Sequence, residues 1–560
     1  MTSEPNTHLD RVTRSMLWAA WADALGFITE RTTPQYVEKR VGAPKVTATV
    51  EWTRRVGGKF GVEMVLPAGT YSDDTQLRLA SSRAISGSGF DPEAFAKVDL
   101  AVWPSYALGG GRASKAAAAN IARSTVPWFG NFYDGYLAAG GNGAAMRIQP
   151  HVWAAPNPTA DTRFLVDVLR DAVITHGHPR ALVGAVLHAI ALSKPMSSGK
   201  PLTVEDWPDI IGKTRSAAAL VESDENLSTV WLPLWEKSAS KSFPDSWSDA
   251  VEECALMLDA LRDGVSELQR EVRPQTYDQM VTTLDLRNPD NVGSGTATGV
   301  IALAVATAIP DPGAASRLVA NALGTDTDTI GTMVGAITGA SARTAPDSPV
   351  QDSDYLQLEA VRLADIAARR KTFGFNYADL LTWVAPKSQI DCVGLVQGKM
   401  ALAGLAFLQP DSELKAGEGK QATWEWTVSD FGQSFLVKRR VKLRDLPAVQ
   451  QPAKERFVTT HLTAPAPSEP IAVEAQAELL PMPPEPSRSD HRPTNRTSDP
   501  PVPPNRSDLN VDRILRWLQE NGADDRAVGL ATRRVAESGT VEQMIAFGVA
   551  LRSIVRGRRA

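Results

Sequence analysis

Two acidic runs constrain this chain most: Ser72-Asp73-Asp74-Thr75 and Asp326-Thr327-Asp328-Thr329. Each stands just before an apolar pattern of helical period, so each reads as a loop feeding a helix N-terminus. Ser, Thr and Asp are ordinary residues there, as caps and as partners of the helix dipole. One such run would mean no more than that. Two runs of the same design change the argument, because Asp73 beside Asp74 is repulsive unless a cation or a proton intervenes. If the two loops meet, Asp73, Asp74, Asp326 and Asp328 share one cage, and Ser72 and Thr329 add neutral hydroxyl oxygens. Two divalent cations would balance that charge. Oxygen-only ligands suit Mg²⁺, Mn²⁺ or Ca²⁺ and argue against zinc. A metal pair can polarise substrate oxygens and generate a hydroxide nucleophile. The ligand type alone leaves phosphoryl transfer, phosphate-ester hydrolysis and glycoside cleavage open.

The surrounding sequence predicts an all-α main domain over residues 1–373. Apolar residues recur at helical spacing over 164–174, 181–192, 254–261 and 356–366. The run TIGTMVGAITGASA after Asp328 sets Gly331, Gly335 and Gly339 on one helix face. Glycine weakens a helix interior, so this row predicts a second backbone in close contact and a helix deep in the domain. VTATVEW at 46–52 is the clearest strand. Over 374–446 the pattern changes. QATWEWTV and QSFLVK flank turn residues 429–432 as a β-hairpin, and 405–409 adds a strand, which predicts a small β-rich appendage. The prolines over 447–507 predict an extended linker. Residues 508–560 return to a helical pattern and predict a small module. Ser507 or Asp508 would cap its first helix, Val511, Ile514, Leu515 and Leu518 would face inward, and Gly522 would stop it.

Composition narrows the classes. With 560 residues, 43% hydrophobic and 22% charged, the chain can bury a sizeable core. Its net charge of -5 gives no global attraction to nucleic acid or anionic membranes. The apolar run 16–28 contains Asp23, is too short for a membrane span and lacks a cleavage pattern, so neither a signal peptide nor a membrane partner is expected. Cys254 and Cys392 have no nearby cysteine, which excludes a disulfide framework and a cysteine zinc site. They read as packed side chains in a reducing, cytoplasmic protein. Arg552, Arg556, Arg558 and Arg559 form a solvated cationic end. Nucleic acid enters the reading only as a modified substrate or through that end, and the C-terminal module is where a protein partner is expected.

Three weaker segments accompany the acidic runs. Gly140-Gly141-Asn142-Gly143-Ala144-Ala145-Met146-Arg147 is a turn whose backbone N–H groups can cradle a pyrophosphate, or a plain tight turn. Thr175-His176-Gly177-His178-Pro179 places His178 at a helix start. Asp23-Ala24-Leu25-Gly26 is followed by Glu30.

In this order, DALG with Glu30, GTYSDDTQ, GNGAAMRIQP, THGHP and GTDTDTIG resemble the ADP-ribosylglycohydrolase family, the group related to dinitrogenase reductase-activating glycohydrolase. The match covers about residues 10–373, and the SDDT and DTDT pair is its specific part. The resemblance implies an all-α domain with two Mg²⁺ ions, or Mn²⁺ in their place, in a central cleft. It implies Ser72, Asp73, Asp74, Asp326, Asp328 and Thr329 as their ligands. It implies Glu30 at the substrate ribose and the metal, Asn142, Gly143, Ala144 and Met146 around the diphosphate, and His176 on the adenosine side. Ser72 keeps the hydroxyl of the threonine found in many relatives. Ala22 replaces a glycine before the Asp, which affects local packing alone. The implied reaction is hydrolysis at the anomeric carbon of ADP-ribose, which reverses ADP-ribosylation of a protein or other acceptor. The metals fix the ribose hydroxyls, a metal-associated water attacks, Asp73 or Asp74 acts as base, and Glu30 is the third catalytic carboxylate. Two other readings use the same residues: a module that binds ADP-ribose without turnover, and a two-metal phosphohydrolase. The acceptor linkage, whether arginine, serine, nucleobase or small molecule, is not written in these motifs.

Overall fold

The computed structural model describes residues 7–58, 61–123, 126–370, 372–419, 422–454, 457–460, 511–520, 525–539 and 541–557. The chain divides into two compact units, Met1–Ala464 and Pro465–Ala560.

The core of the first unit is a stack of apolar helices. The predicted helical stretches form the helices Phe164–Thr175, Pro179–Ser198, Phe243–Ala260 and Ser353–Ala367. Pro179–Ser198 is long and apolar enough to cross a membrane, yet most of it lies buried inside the unit. Gly295–Ala308 is buried along its whole length.

The Thr327–Ser341 helix lies against the first helix, His8–Phe27, and the glycine row explains how closely. A Cβ at Gly331 would stand 2.9 Å from the Ala22 carbonyl oxygen, one at Gly335 2.4 Å from that of Trp18, and one at Gly339 2.9 Å from that of Arg14. The helices therefore touch backbone to backbone, as the sequence predicts. Hydroxyls cross the same seam: Ser15 donates to the Ala336 carbonyl at 2.7 Å and Thr332 to that of Ala19 at 3.0 Å. At its end Thr327 donates to the Gly26 carbonyl at 2.8 Å. Gly26 is needed there, because a Cβ would fall 2.3 Å from the Thr327 carbonyl oxygen.

The strand expected at 46–52 is displaced. The observed strand is Trp52–Val56, antiparallel to Val62–Leu66. The preceding backbone is satisfied by side chains instead of a ladder. Asn321 accepts from the Val46 N–H and donates to its carbonyl, and Arg317 donates to the Thr47 carbonyl.

The β-hairpin forms as predicted, Ala422–Ser429 with Ser434–Arg440, pairing Trp426 with Leu436. Ala406–Pro410 joins it, followed by Lys399–Leu402 and Val393–Val396, all antiparallel, with Gly417–Glu418 paired to the Ala422–Ser429 strand. The last three strands were not foreseen. Nor is the sheet an appendage with its own boundary at residue 373, since it shares the core of the first unit. Buried Arg83 donates to Asp99 at 2.6 Å and to Gln433, in the hairpin connection, at 2.5 Å. Asp352 accepts from the Tyr71 hydroxyl at 2.6 Å and from the Ser434 N–H at 2.9 Å. Part of the segment read as a linker is structured. Residues 448–450 form a turn held by Gly404, and Phe457–Thr460 pairs with Thr372–Phe375. Residues 461–507, Gly522 and the predicted cap at Ser507 or Asp508 lie outside the described residues.

The second unit contains the helices Val511–Glu520, Asp525–Ser538 and Val541–Gly557. They close on Ile514, Leu518, Ala531, Val535 and Phe547.

Candidate active site

The two acidic runs do meet. The helix Asp73–Arg83 and the helix Thr327–Ser341 bring their N-termini to one cleft of about 900 Å³. Asp73, Asp74, Asp326, Asp328 and Thr329 line it, with Glu30 from the segment after the first helix. Glu30, Asp326 and Asp328 each offer a carboxylate oxygen within 4.8 Å of the others, close enough to share one hard cation.

The capping alternative can be tested directly. At the first helix start the cap is Ser72, whose hydroxyl accepts from the Asp74 N–H at 3.2 Å. The next donors go to buried Asp23, which accepts from the Ser72 N–H and the Thr75 N–H, each at 2.9 Å, and from the Thr75 hydroxyl at 2.5 Å. The Asp73 and Asp74 carboxylates are thereby left free of capping. Asp326 occupies the cap position of the second helix but makes no side-chain cap bond. The Asp74 Oδ1 atom is buried without a hydrogen-bond partner. Its other oxygen accepts from the Ser72 hydroxyl at 3.1 Å.

Burial and mutual repulsion hold the acids toward protonation. Asp73 is pushed up to about 7, first by burial, then by the charges of Glu30 and Asp23, with Lys115 opposing. Burial and the neighbouring acids raise Asp74 and Asp328 well above the usual carboxylate range. Glu30 is raised by burial and Asp326 against the pull of Arg54 and Arg31. Asp326 is raised by burial, with Arg31 and the Asn142 amide opposing. A site built this way from oxygen donors gains most from a bound cation.

The other predicted residues fall around the cleft with two exceptions. Ser72 is wholly buried behind Asp74 and Ala144 lies behind its loop, so neither lines the cleft. Asn142, Gly143, Met146 and His176 do line it. The glycine-rich loop is less open than its composition suggests. The Asn142 N–H donates to the Gly293 carbonyl, and the Met146 N–H turns back to that of Asn142. The Asn142 amide donates to Asp326 Oδ2 at 2.8 Å, so it orients a carboxylate of the cluster. His176 is buried beneath the loop, and a Cβ at Gly143 would come 3.0 Å from its ring. Burial, then Arg147, lowers His176 to about 3, so the ring is neutral. His178 caps the Pro179–Ser198 helix, as expected, by accepting from the Arg180 N–H.

Sequence reasoning missed four contributors. Asp23 had a usable signal, a lone carboxylate inside an apolar helix that must find partners once buried. Buried Arg78 donates to Thr75 and Thr332, each at 2.5 Å, and supplies positive charge beneath Asp23 and Asp74. Arg54 stands 3.8 Å from Glu30 and over the Phe27 ring at 4.2 Å. Lys115 lines the cleft on the Asp73 side. Nothing in the local sequence marks Arg54 or Lys115, because their partners come from distant segments.

A helical body with converging carboxylates at two helix starts defines an enzyme-like cleft, and the comparisons place it. Residues 4–350 match the sequence model of the ADP-ribosylglycohydrolase family, and the chain belongs to that family. Membership supports a hydrolase of the ADP-ribosylglycohydrolase type acting on ADP-ribose. Among solved structures, a chain titled "ADP-ribosylglycohydrolase-related protein complex" aligns over 64% of this chain and 99% of its own, at 20% identity and a TM-score of 0.40. No curated protein matches the chain.

Proposed function

We propose that this chain hydrolyses the glycosidic bond between ADP-ribose and a modified acceptor, with two hard divalent cations held by Glu30, Asp73, Asp74, Asp326 and Asp328 beside the hydroxyls of Ser72 and Thr329. The observation that carries the reading is the convergence of these carboxylates around the partnerless Asp74 Oδ1. The donors fit Mg²⁺ or Mn²⁺ because they are all oxygen and the Asp73, Asp74 and Asp326 carboxylates are not spent on a helix cap. Bound there, the cations would neutralise the cluster and polarise the ribose hydroxyls.

The chain's own groups supply the rest. Asp73 or Asp74, both lining the cleft, is the carboxylate assigned to accept a proton from the attacking water. The remaining carboxylate charge favours the oxocarbenium-like state of glycoside cleavage. Asn142 fixes the rotamer of Asp326. Neutral His176 and the loop at Gly143 and Met146 bound the part of the cleft assigned to the diphosphate and adenosine.

Product analysis on ADP-ribosyl-arginine and ADP-ribosyl-serine substrates, with Mg²⁺ and with chelator, tests this. Intact ADP-ribose, released only with metal and not by Asp326→Ala, is the expected result. AMP or free phosphate would overturn it in favour of a phosphohydrolase. Retained ADP-ribose binding without turnover on any linkage would favour a binding module.

A further inference from the structure

A second groove of about 360 Å³ adjoins the cleft and belongs to none of the sites described above. The two cavities share Arg54, Gly109 and Lys115, all at the carboxylate end. Gly109 marks the junction: with φ +135°, its backbone comes so close to Asp73 that a Cβ would lie 2.3 Å from Oδ1. None of Asn142, Gly143, Met146 or His176 lines the groove. A ligand with its diphosphate on that loop and its anomeric carbon at the carboxylates would therefore send its acceptor toward the groove.

The groove is cationic. Arg54, Arg55, Lys115 and Lys438 line it, and among the described residues no carboxylate does. Arg54 is braced by the Phe27 and Trp52 rings, with its guanidinium carbon 4.2 and 5.9 Å from their centroids. Lys438 is contributed by the sheet and lies 5.3 Å from the centroid of Trp424. That ring packs on Gly57, so it holds the lysine in place and is not itself an open stacking platform. Arg55 is more than half exposed, with Glu63 at 3.2 Å as a surface partner, an ion pair weak enough to exchange. Arg54 and Lys115 also face the cleft acids Glu30 and Asp73, and Arg55 has its surface partner Glu63, yet the described lining itself carries four cations and no acid. Such a lining disfavours a basic peptide and attracts phosphate, which arginine can engage through two parallel hydrogen bonds.

We infer that this groove is the acceptor subsite and that it takes a phosphate-bearing acceptor, an ADP-ribosylated nucleic-acid strand. The inference rests on the glycohydrolase reading for its catalytic arm. It also gives the sheet a role, since Lys438 and Trp424 complete the subsite.

Arg55→Glu and Lys438→Glu, singly and together in the full chain, test it without touching the carboxylate cluster. The first readout is fluorescence anisotropy of a labelled, unmodified single-stranded oligonucleotide. Binding by the wild type, lowered about tenfold or more in the double variant, with a salt dependence shallower by about 2 in log–log slope, is expected. The second readout is ADP-ribose release from a modified oligonucleotide, an acidic peptide, a basic peptide and a minimal substrate. The double variant should lose kcat/KM on the oligonucleotide and keep the wild-type rate on the minimal substrate. Equal oligonucleotide affinity in wild type and double variant overturns the inference, as does preference for either peptide. If the wild type releases nothing from the minimal substrate, the glycohydrolase reading fails, while the anisotropy comparison still decides the groove.

Discussion

Replacing Gly335 by alanine probes the seam on which the site is built. The added Cβ would meet the Trp18 carbonyl oxygen at 2.4 Å and the Ala22 Cβ at 2.9 Å. Both belong to the facing helix, so no flexible side-chain end can swing aside, and the helices must separate. Overpacking of this kind costs about 1–3 kcal/mol. Alanine returns roughly 1 kcal/mol of helix propensity. A clash with a rigid main chain falls at the upper end of the first range, so the expected net loss is about 2 kcal/mol. Gly212 is the internal control. It lies in the helix Trp207–Ser216, and a Cβ there meets nothing within 4 Å. Gly212→Ala should therefore stabilise by about 0.5–1 kcal/mol. Urea unfolding of both variants beside the wild type measures the contrast. Because the seam also sets Glu30 against Asp326 and Asp328, Gly335→Ala should lower activity as well. Equal midpoints for the two variants would refute the packing argument.

Three further outcomes follow from the buried charges. In metal-free protein Asp73 titrates at about 7, against 3.8 ordinarily. The folded chain thus keeps a proton that the unfolded chain releases, and this stability, full below about pH 3.8, is lost as pH rises through about 7. Tm in chelator should fall as pH rises from about 4 to about 7 and level off above, and Mn²⁺ should oppose the fall; a flat profile in chelator would contradict the cluster's electrostatics. Asn142→Ala removes the 2.8 Å bond to Asp326 and should weaken metal binding about 10–100-fold, read by calorimetry, with little change in fold by circular dichroism. Arg83→Met removes the buried ion-pair partner of Asp99, leaving it, among the described residues, the Tyr377 hydroxyl at 2.5 Å, and should cost about 3–5 kcal/mol in denaturant unfolding.

The helical body was legible because its signals are local. Apolar period marked the helices, and the glycine row at 331, 335 and 339 announced a backbone contact without naming its partner. The hairpin around Ser429 to Gly432 was legible for the same reason, through its turn chemistry. What escaped depends on distant pairing. The segment at 46–52 alternates like a strand, but Asn321 and Arg317 satisfy its backbone, and neither can be inferred from its own residues. The sheet read as an appendage because Arg83, Tyr71 and Asp352, which weld it to the helices, carry no local mark of that use. At the site, Asp73, Asp74, Asp326 and Asp328 were legible as charges too crowded to stand alone. The roles of Asn142 as a brace for Asp326 and of Asp23 as the acceptor for the Ser72 and Thr75 N–H groups became visible only once three segments met.

A manganese titration of chelator-stripped protein, followed by electron paramagnetic resonance, bears most directly on the site. Two bound Mn²⁺ ions per chain, magnetically coupled, with loss of the pair in Asp74→Asn and in Asp328→Asn, are the expected result. Wild-type protein that leaves all the manganese free, or variants that bind it unchanged, would contradict a cation site shared by the two helix starts.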